Sequence, residues 1–363
     1  MGRSATLEKP EGLDERDTSW GDYPLDEVLI RNENRTIFDV LRRIRQGHYV
    51  MDPDFQRDFI WSEDKQSKLI ESVVMRIPLP VFYLAEDAAG KMVVVDGLQR
   101  LSTFQRFVNG ELNLRLPNRA ELHGKTFDDL GPKLQTRIED CSLIFYLIDS
   151  KVPERARLDI FERVNGGVPL SRQQMRNSLF MGPATRFLKC EARTEAFLRA
   201  TGRSLNTKNM RDREFVNRFC SFQLLDVKQY RGDMDDFLEA GLRCMNYLDE
   251  SGLSRLSCEF RCSMANNHRL FERQAFRKHA PGQTKRGVIN ASLWDVMSTS
   301  LSHYPEDLVE TRVEPLRRAV YRMLDDEKFN TAITYGPNDA SKVKFRFHVA
   351  TEAFREVLGV HRD

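Results

Sequence analysis

An α+β fold is predicted for this 363-residue chain: a small mixed sheet in the first half, followed by a mainly α-helical second half. Two observations carry the prediction. Strand signals occur at Val81 to Ala85, Lys91 to Val95 and Cys141 to Ile148, and nearly vanish beyond residue 185. Helical spacing of apolar residues then takes over around 213–226, 233–248, 290–302, 312–325 and 342–358. The division that follows is a leader at 1–24, a sheet-bearing domain at 25–184 and a helical domain at 185–363.

The leader is polar, acidic and rich in Pro and Gly, with no apolar periodicity, and reads as disordered. Order is expected to begin near Thr36, an N-cap for a helix with Ile37, Val40, Leu41 and Ile44 on one face and Gly47 at its end. A short extended stretch follows at His48 to Asp52. Ser62 caps a second helix striped by Leu69, Ile70, Val73, Val74 and Ile77, which Pro78 and Pro80 stop. Two strands joined by turn residues at Asp87 to Gly90 come next, and the uninterrupted Val93-Val94-Val95 calls for burial on both faces. Gly97 breaks the second strand, and Leu98 to Val108 is helical, ended by Asn109-Gly110. Cys141 to Ile148 reads as a buried strand. Pro153 and Glu154 open a helix through Leu158, Phe161 and Val164. Ser171 opens another, with Gln174 in the capping-box position.

With 56 Lys and Arg against 54 Asp and Glu, the net charge of +2 excludes a strongly basic nucleic-acid coat. No apolar stretch approaches the roughly 20 residues of a membrane helix, so a cytoplasmic protein with no membrane partner is expected. Six scattered cysteines are too few for a disulfide scaffold and read as reduced thiols. Residues 1–180 hold 26 Lys and Arg against 29 Asp and Glu, so the surplus of positive charge lies in the helical half. It concentrates in two clusters: Arg203, Lys208, Arg211, Arg213 and Arg218, and Arg269, Arg273, Arg277, Lys278, Lys285 and Arg286.

The most informative segment is Val93 to Thr103. A buried strand delivers Asp96 to its C-terminal edge, Gly97 permits a tight turn, and a helix begins with free N–H groups and a positive dipole end. Gln99, Arg100, Ser102 and Thr103 are expected to occupy that first turn. Backbone donors, a planar cation and hydroxyls form a phosphate cradle, and Asp96 could hold a divalent metal or position a water. The same residues also fit an ordinary helix start, with Arg100 paired to a neighbouring carboxylate.

Asp96-Gly97-Leu98-Gln99-Arg100 resembles the DGQQR motif of the GmrSD/SspE-type nucleotide-hydrolysing domain, a member of the ParB/sulfiredoxin-like group. Further elements agree in order: Phe55-Gln56-Arg57 and Trp61; Leu69-Ile70-Glu71-Ser72 with Ile77-Pro78-Leu79-Pro80; Phe161-Glu162-Arg163-Val164-Asn165 with Leu170-Ser171. The series spans residues 36–182, and it departs from the motif at Leu98, where the family has Gln. The resemblance implies a nucleoside triphosphate as substrate or ligand with Mg²⁺. Asp96 would face the metal or attacking water, and Gln99 and Arg100 the phosphates. Gln56, Arg57, Gly97, Ser102, Thr103, Arg163 and Asn165 would complete the site. Against those roles, Arg57 could pair with Asp54 or Asp58, Asn165 could end a helix, and His48 and Trp61 suit structural duty.

No Walker A sequence and no HNH nuclease signature are found; His279, His303 and His348 lack clustered partners. The expected function is a nucleotide-binding and nucleotide-hydrolysing regulatory component of a prokaryotic anti-phage, restriction-type system, acting with a separate protein effector that cuts. Two alternatives stand beside it: a ParB-like protein binding DNA through the basic helical half, and a non-catalytic, antitoxin-like interaction protein.

Overall fold

The computed structural model describes residues 7–13, 30–51, 61–87, 90–152, 156–157, 160 and 171–359. The chain divides into two compact units, Ser19–Leu179 and, together, Met1–Thr18 with Phe180–Asp363. The architecture is α+β, as expected. No helix among the described residues is long and apolar enough to cross a membrane.

The first unit is built on a five-stranded mixed sheet of order β1-β5-β3-β4-β2: β1 Ile30–Thr36, β2 Tyr49–Val50, β3 Phe82–Glu86, β4 Met92–Asp96 and β5 Ser142–Ile148. β1 pairs antiparallel with β5, β5 parallel with β3, β3 antiparallel with β4, and β4 parallel with β2. Its helices begin with α1 Ile37–Arg45, α2 Glu63–Val74, α3 Leu98–Val108, α4 Pro132–Glu139 and α5 Arg172–Leu179. The caps are those the sequence specifies. Thr36 accepts from the Asp39 N–H at 3.2 Å, Ser62 accepts from the Lys65 N–H, and Ser171 and Gln174 exchange bonds at 2.7 and 3.2 Å.

Val93, Val94 and Val95 are all buried. Leu84 and Val94 pack on one side with Ile70, Leu101 and Phe104. Ala85 and Val95 pack on the other with Val152, Ala156 and Met175. Both faces are covered, as a continuous Val run requires.

Three expectations need correction. Order does not begin at Thr36: Ile30–Thr36 forms an edge strand along all of β5. Its sequence, IRNENRT, is polar because an edge strand is held by its backbone ladder and gains from charged side chains. β5 is not buried throughout: Ile144 is 41% exposed while Leu143 and Phe145 are buried, the alternation of a one-sided strand. The leader is not uniformly without partners, since Glu8 and Glu11 of the segment 7–13 are bonded to Arg277, Arg286 and Lys278 of their own unit. The expected helix from Pro153 falls largely outside the described residues.

In the second unit all five expected helices occur: α8 Arg211–Leu224, α9 Met234–Tyr247, α11 Ala291–Leu301, α13 Val313–Asp325 and α15 Ala340–Leu358. The sequence did not signal α6 Pro183–Glu191, α7 Glu195–Thr201, α10 Glu250–Phe271, α12 Glu306–Thr311 or α14 Glu327–Thr334. The long α10 escaped because Ser263, Asn266 and Asn267 lie on its buried face, which blurs the apolar stripe. Trp294 is fully buried against Phe197, Phe215, Phe260 and Phe276.

Candidate functional site

β4 ends at Asp96 and α3 starts at Leu98, so the whole turn is Gly97. Its φ of 99° lies in the left-handed region, and a Cβ there would collide with the Phe82 ring. Glycine is therefore needed twice, for the backbone angle and for the space. The first N–H returning into the helix is that of Leu101, bonded to the Gly97 carbonyl at 2.9 Å. The N–H groups of Leu98, Gln99 and Arg100 precede it and have no acceptor within the helix.

Arg100 is buried and turned inward. Its Nη2 donates to Asp96 Oδ2 at 2.8 Å and to the Val81 carbonyl at 3.0 Å, and its Nη1 donates to the Pro80 carbonyl. The guanidinium lies 4.2 Å from the Phe82 ring centre, a cation–π contact. Burial pulls the Arg100 pKa down and Asp96 opposes that shift. The Asp96 side chain stays 32% exposed, so the carboxylate shares one oxygen with Arg100 and reaches the surface.

The remaining expected residues divide. Thr103 is completely buried and its hydroxyl donates to the Gln99 carbonyl at 2.7 Å. Its expected place in the first turn is corrected: it stands a full turn beyond the helix start, and its hydroxyl hydrogen is bonded within the helix. Ser102 is also in the second turn, with its Oγ buried and without a hydrogen-bond partner; Gln99 Oε1 is likewise buried and unbonded. Asp96, Gly97, Gln99 and Arg100 are thus brought together, while Gln56, Arg57, Arg163 and Asn165 lie outside the described residues. His48 is exposed, and its carbonyl accepts from the Met92 N–H at 2.9 Å. Trp61 packs against the core cluster with Lys65 Nζ 4.4 Å from its ring centre. Phe82 and the carbonyls of Pro80 and Val81 were not legible as site residues, because no side-chain pattern marks a carbonyl that faces an arginine twenty positions away.

Among the described residues, no group of three or more His, Cys, Asp or Glu side chains is arranged to hold a metal ion. Cys262 directs its Sγ to the Tyr304 carbonyl at 3.3 Å.

The basic clusters of the helical unit are largely neutralised from within. Arg203 pairs with Glu195 at 2.6 Å, Arg211 with Glu214 at 2.6 Å and Arg269 with Glu310 at 2.7 Å. Arg277 and Arg286 share Glu8, and Lys278 pairs with Glu11. Arg218 is fully buried against Asp295. Seven of the eleven charges in these clusters are thus paired with carboxylates of their own unit.

Residues 37–181 match the family described as GmrSD restriction endonuclease, N-terminal domain. The match starts at the first residue of α1, ends just beyond α5 and includes the whole Asp96–Arg100 corner. The family resemblance carried by the motifs therefore holds, and it ties this part of the chain to restriction-type defence proteins. No curated protein matches the chain.

Proposed function

We propose that the sheet unit is a nucleotide-binding and nucleotide-hydrolysing module of a restriction-type defence system, regulating a separate effector protein. The observation that carries this reading is the corner itself: a carboxylate at a strand end, one glycine, and a helix start with no side-chain cap, in a domain matched to a restriction family.

The three first-turn N–H groups and the helix dipole would take a terminal phosphate. Arg100 is turned inward in this arrangement, with three of its five N–H groups bonded to Asp96, Pro80 and Val81. It is a positioning residue that fixes Asp96 and the entry to β3. Asp96 would orient the attacking water toward the phosphorus, with the oxygen bridging to the next phosphate as leaving group. A single carboxylate fits Mg²⁺ only where the nucleotide phosphates supply further ligands; Mg²⁺ would then neutralise phosphate charge. Gln56, Arg57, Arg163 and Asn165 remain the proposed remainder of the pocket.

Titration of the full chain with ATP, GTP, CTP and UTP in Mg²⁺, with phosphate release measured in parallel, tests this. Asp96→Asn is expected to cut phosphate release at least about 100-fold, the scale of losing one catalytic proton or water contact, with binding changed only a few-fold. Absence of binding to every nucleotide at millimolar concentration would refute it.

A DNA-binding role for the helical unit is the weaker reading, because most of the arginines that suggested it are paired with carboxylates of their own unit.

A further inference from the structure

Glu8 occupies a receptor for a carboxylate. Its Oε1 accepts from Arg277 Nη2 at 2.6 Å and from Arg286 Nη2 at 2.9 Å, and its Oε2 accepts from the Ile289 N–H at 2.9 Å. Arg277 is entirely buried and anchored by the carbonyls of Ala275 and Gly287 at 2.8 and 3.0 Å. Gly202, with φ of 64°, lets Arg286 approach: a Cβ there would stand 2.5 Å from its Nη2. Three residues on, Glu11 meets Lys278.

The main chain is engaged as well. The Glu8 N–H donates to the Ser204 carbonyl at 3.0 Å and the Glu11 N–H to the Ile289 carbonyl at 2.8 Å, while the Glu11 carbonyl accepts from the Ala291 N–H at 2.9 Å. Pro10, the one position of the segment with no N–H, is buried between them.

We infer that this seat is a docking groove for an extended acidic peptide with glutamates three residues apart, and that the segment 7–13 fills it in cis. The groove uses the two components of peptide capture by strand addition: backbone bonds for affinity, and charged seats at fixed spacing for specificity. A nucleic-acid strand fits it less well. The carbonyls of Ser204 and Ile289 require donors, and a phosphodiester backbone has none. An empty seat would leave the buried Arg277 guanidinium without a counter-charge, so the groove is built to exchange one anionic occupant for another rather than to stand open. A covalently attached occupant has a high effective concentration, and a free peptide must compete with it.

The test keeps the chain folded. A specific protease site is placed within residues 14–29, the full-length protein is cut after purification, and a fluorescent peptide of residues 5–15 is titrated by anisotropy. The cut chain is expected to exchange its own segment and bind the peptide saturably, at least ten-fold tighter than the uncut chain does. Glu8→Gln with Glu11→Gln in the peptide should weaken binding at least ten-fold. The same pair of changes in the uncut chain, with its fold checked by circular dichroism, should admit the wild-type peptide. A segment that never exchanges, a groove that rebinds nothing, equal binding of the Gln peptide, or binding of duplex DNA in its place would each overturn the inference.

Discussion

Two arginine–aspartate centres, one in each unit, use the same chemistry to different ends. In the sheet unit, Asp96 holds Arg100 and remains 32% exposed. In the helical unit, Asp295 on α11 is fully buried and holds two arginines. Arg218 of α8 binds bidentately at 2.7 Å for both bonds, and Arg346 of α15 binds at 2.9 Å. The second centre leaves no face for a ligand; it ties three helices together. The first ties a strand end to the entry of β3 and still presents a carboxylate outward. Exposure of the acid, not the pairing itself, separates a candidate site from a strut.

The largest effect is expected at the closed centre. Asp295→Ala leaves two buried guanidinium groups unpaired and should cost about 3–5 kcal/mol. Urea unfolding of the intact chain, followed by the fluorescence of buried Trp294, measures it. A loss below about 1 kcal/mol would mean that water reaches this centre and would break the contrast.

Asp212 of α8 shows what an aspartate costs without such a clamp. Its Oδ1 is buried without a partner, and burial raises its pKa from 3.8 to about 6. The folded chain therefore holds a proton that the unfolded chain has lost, and stability falls as pH rises from about 4 to about 6. Asp212→Asn should abolish that fall, gaining on the order of 3 kcal/mol above pH 6 and almost nothing at pH 4. Unfolding midpoints of both forms across this range decide the matter.

At the open corner, Arg100→Ala strands two carbonyls and should cost about 2 kcal/mol. Phosphate release should fall with it, because Asp96 loses its anchor. Arg100→Lys should recover part of the stability and little of the activity, since an ammonium cannot bridge three acceptors in one plane. Equal activity of the Lys variant and the parent would argue for a bare charge at this position.

The smallest effect is expected at Ser102. Its hydroxyl has no partner to lose, so Ser102→Ala should change stability by no more than about 0.5 kcal/mol. Nucleotide titration of the same variant gives the sharper answer. Weakened binding would make this hydroxyl part of the pocket, and unchanged binding would leave it as packing.

Much of this was legible in local sequence. Thr36, Ser62 and Ser171 cap helices because a hydroxyl needs only the N–H three residues on. Gly97 was marked by its place between a Val run and a helix, and the Asp96-Gly97-x-Gln99-Arg100 spacing located the corner. The strand Ile30–Thr36 was hidden because its partner, β5, lies more than a hundred residues away and its own side chains stay in water. The pairing of the basic clusters was hidden for a related reason: several of the carboxylates involved, Glu8, Glu11 and Asp295 among them, are distant in sequence.

The α+β division, the helix caps, the doubly buried strand and the position of the strand–glycine–helix corner are local properties of the chain, since each follows from neighbours within a few turns. Long-range packing sets the rest: Arg100 faces inward, the Thr103 hydroxyl bonds within its helix, and the N-terminal glutamates sit on Arg277, Arg286 and Lys278. The direction of a charged side chain is set by which counter-charge or carbonyl the folded chain brings within about 3 Å, and that choice is not local.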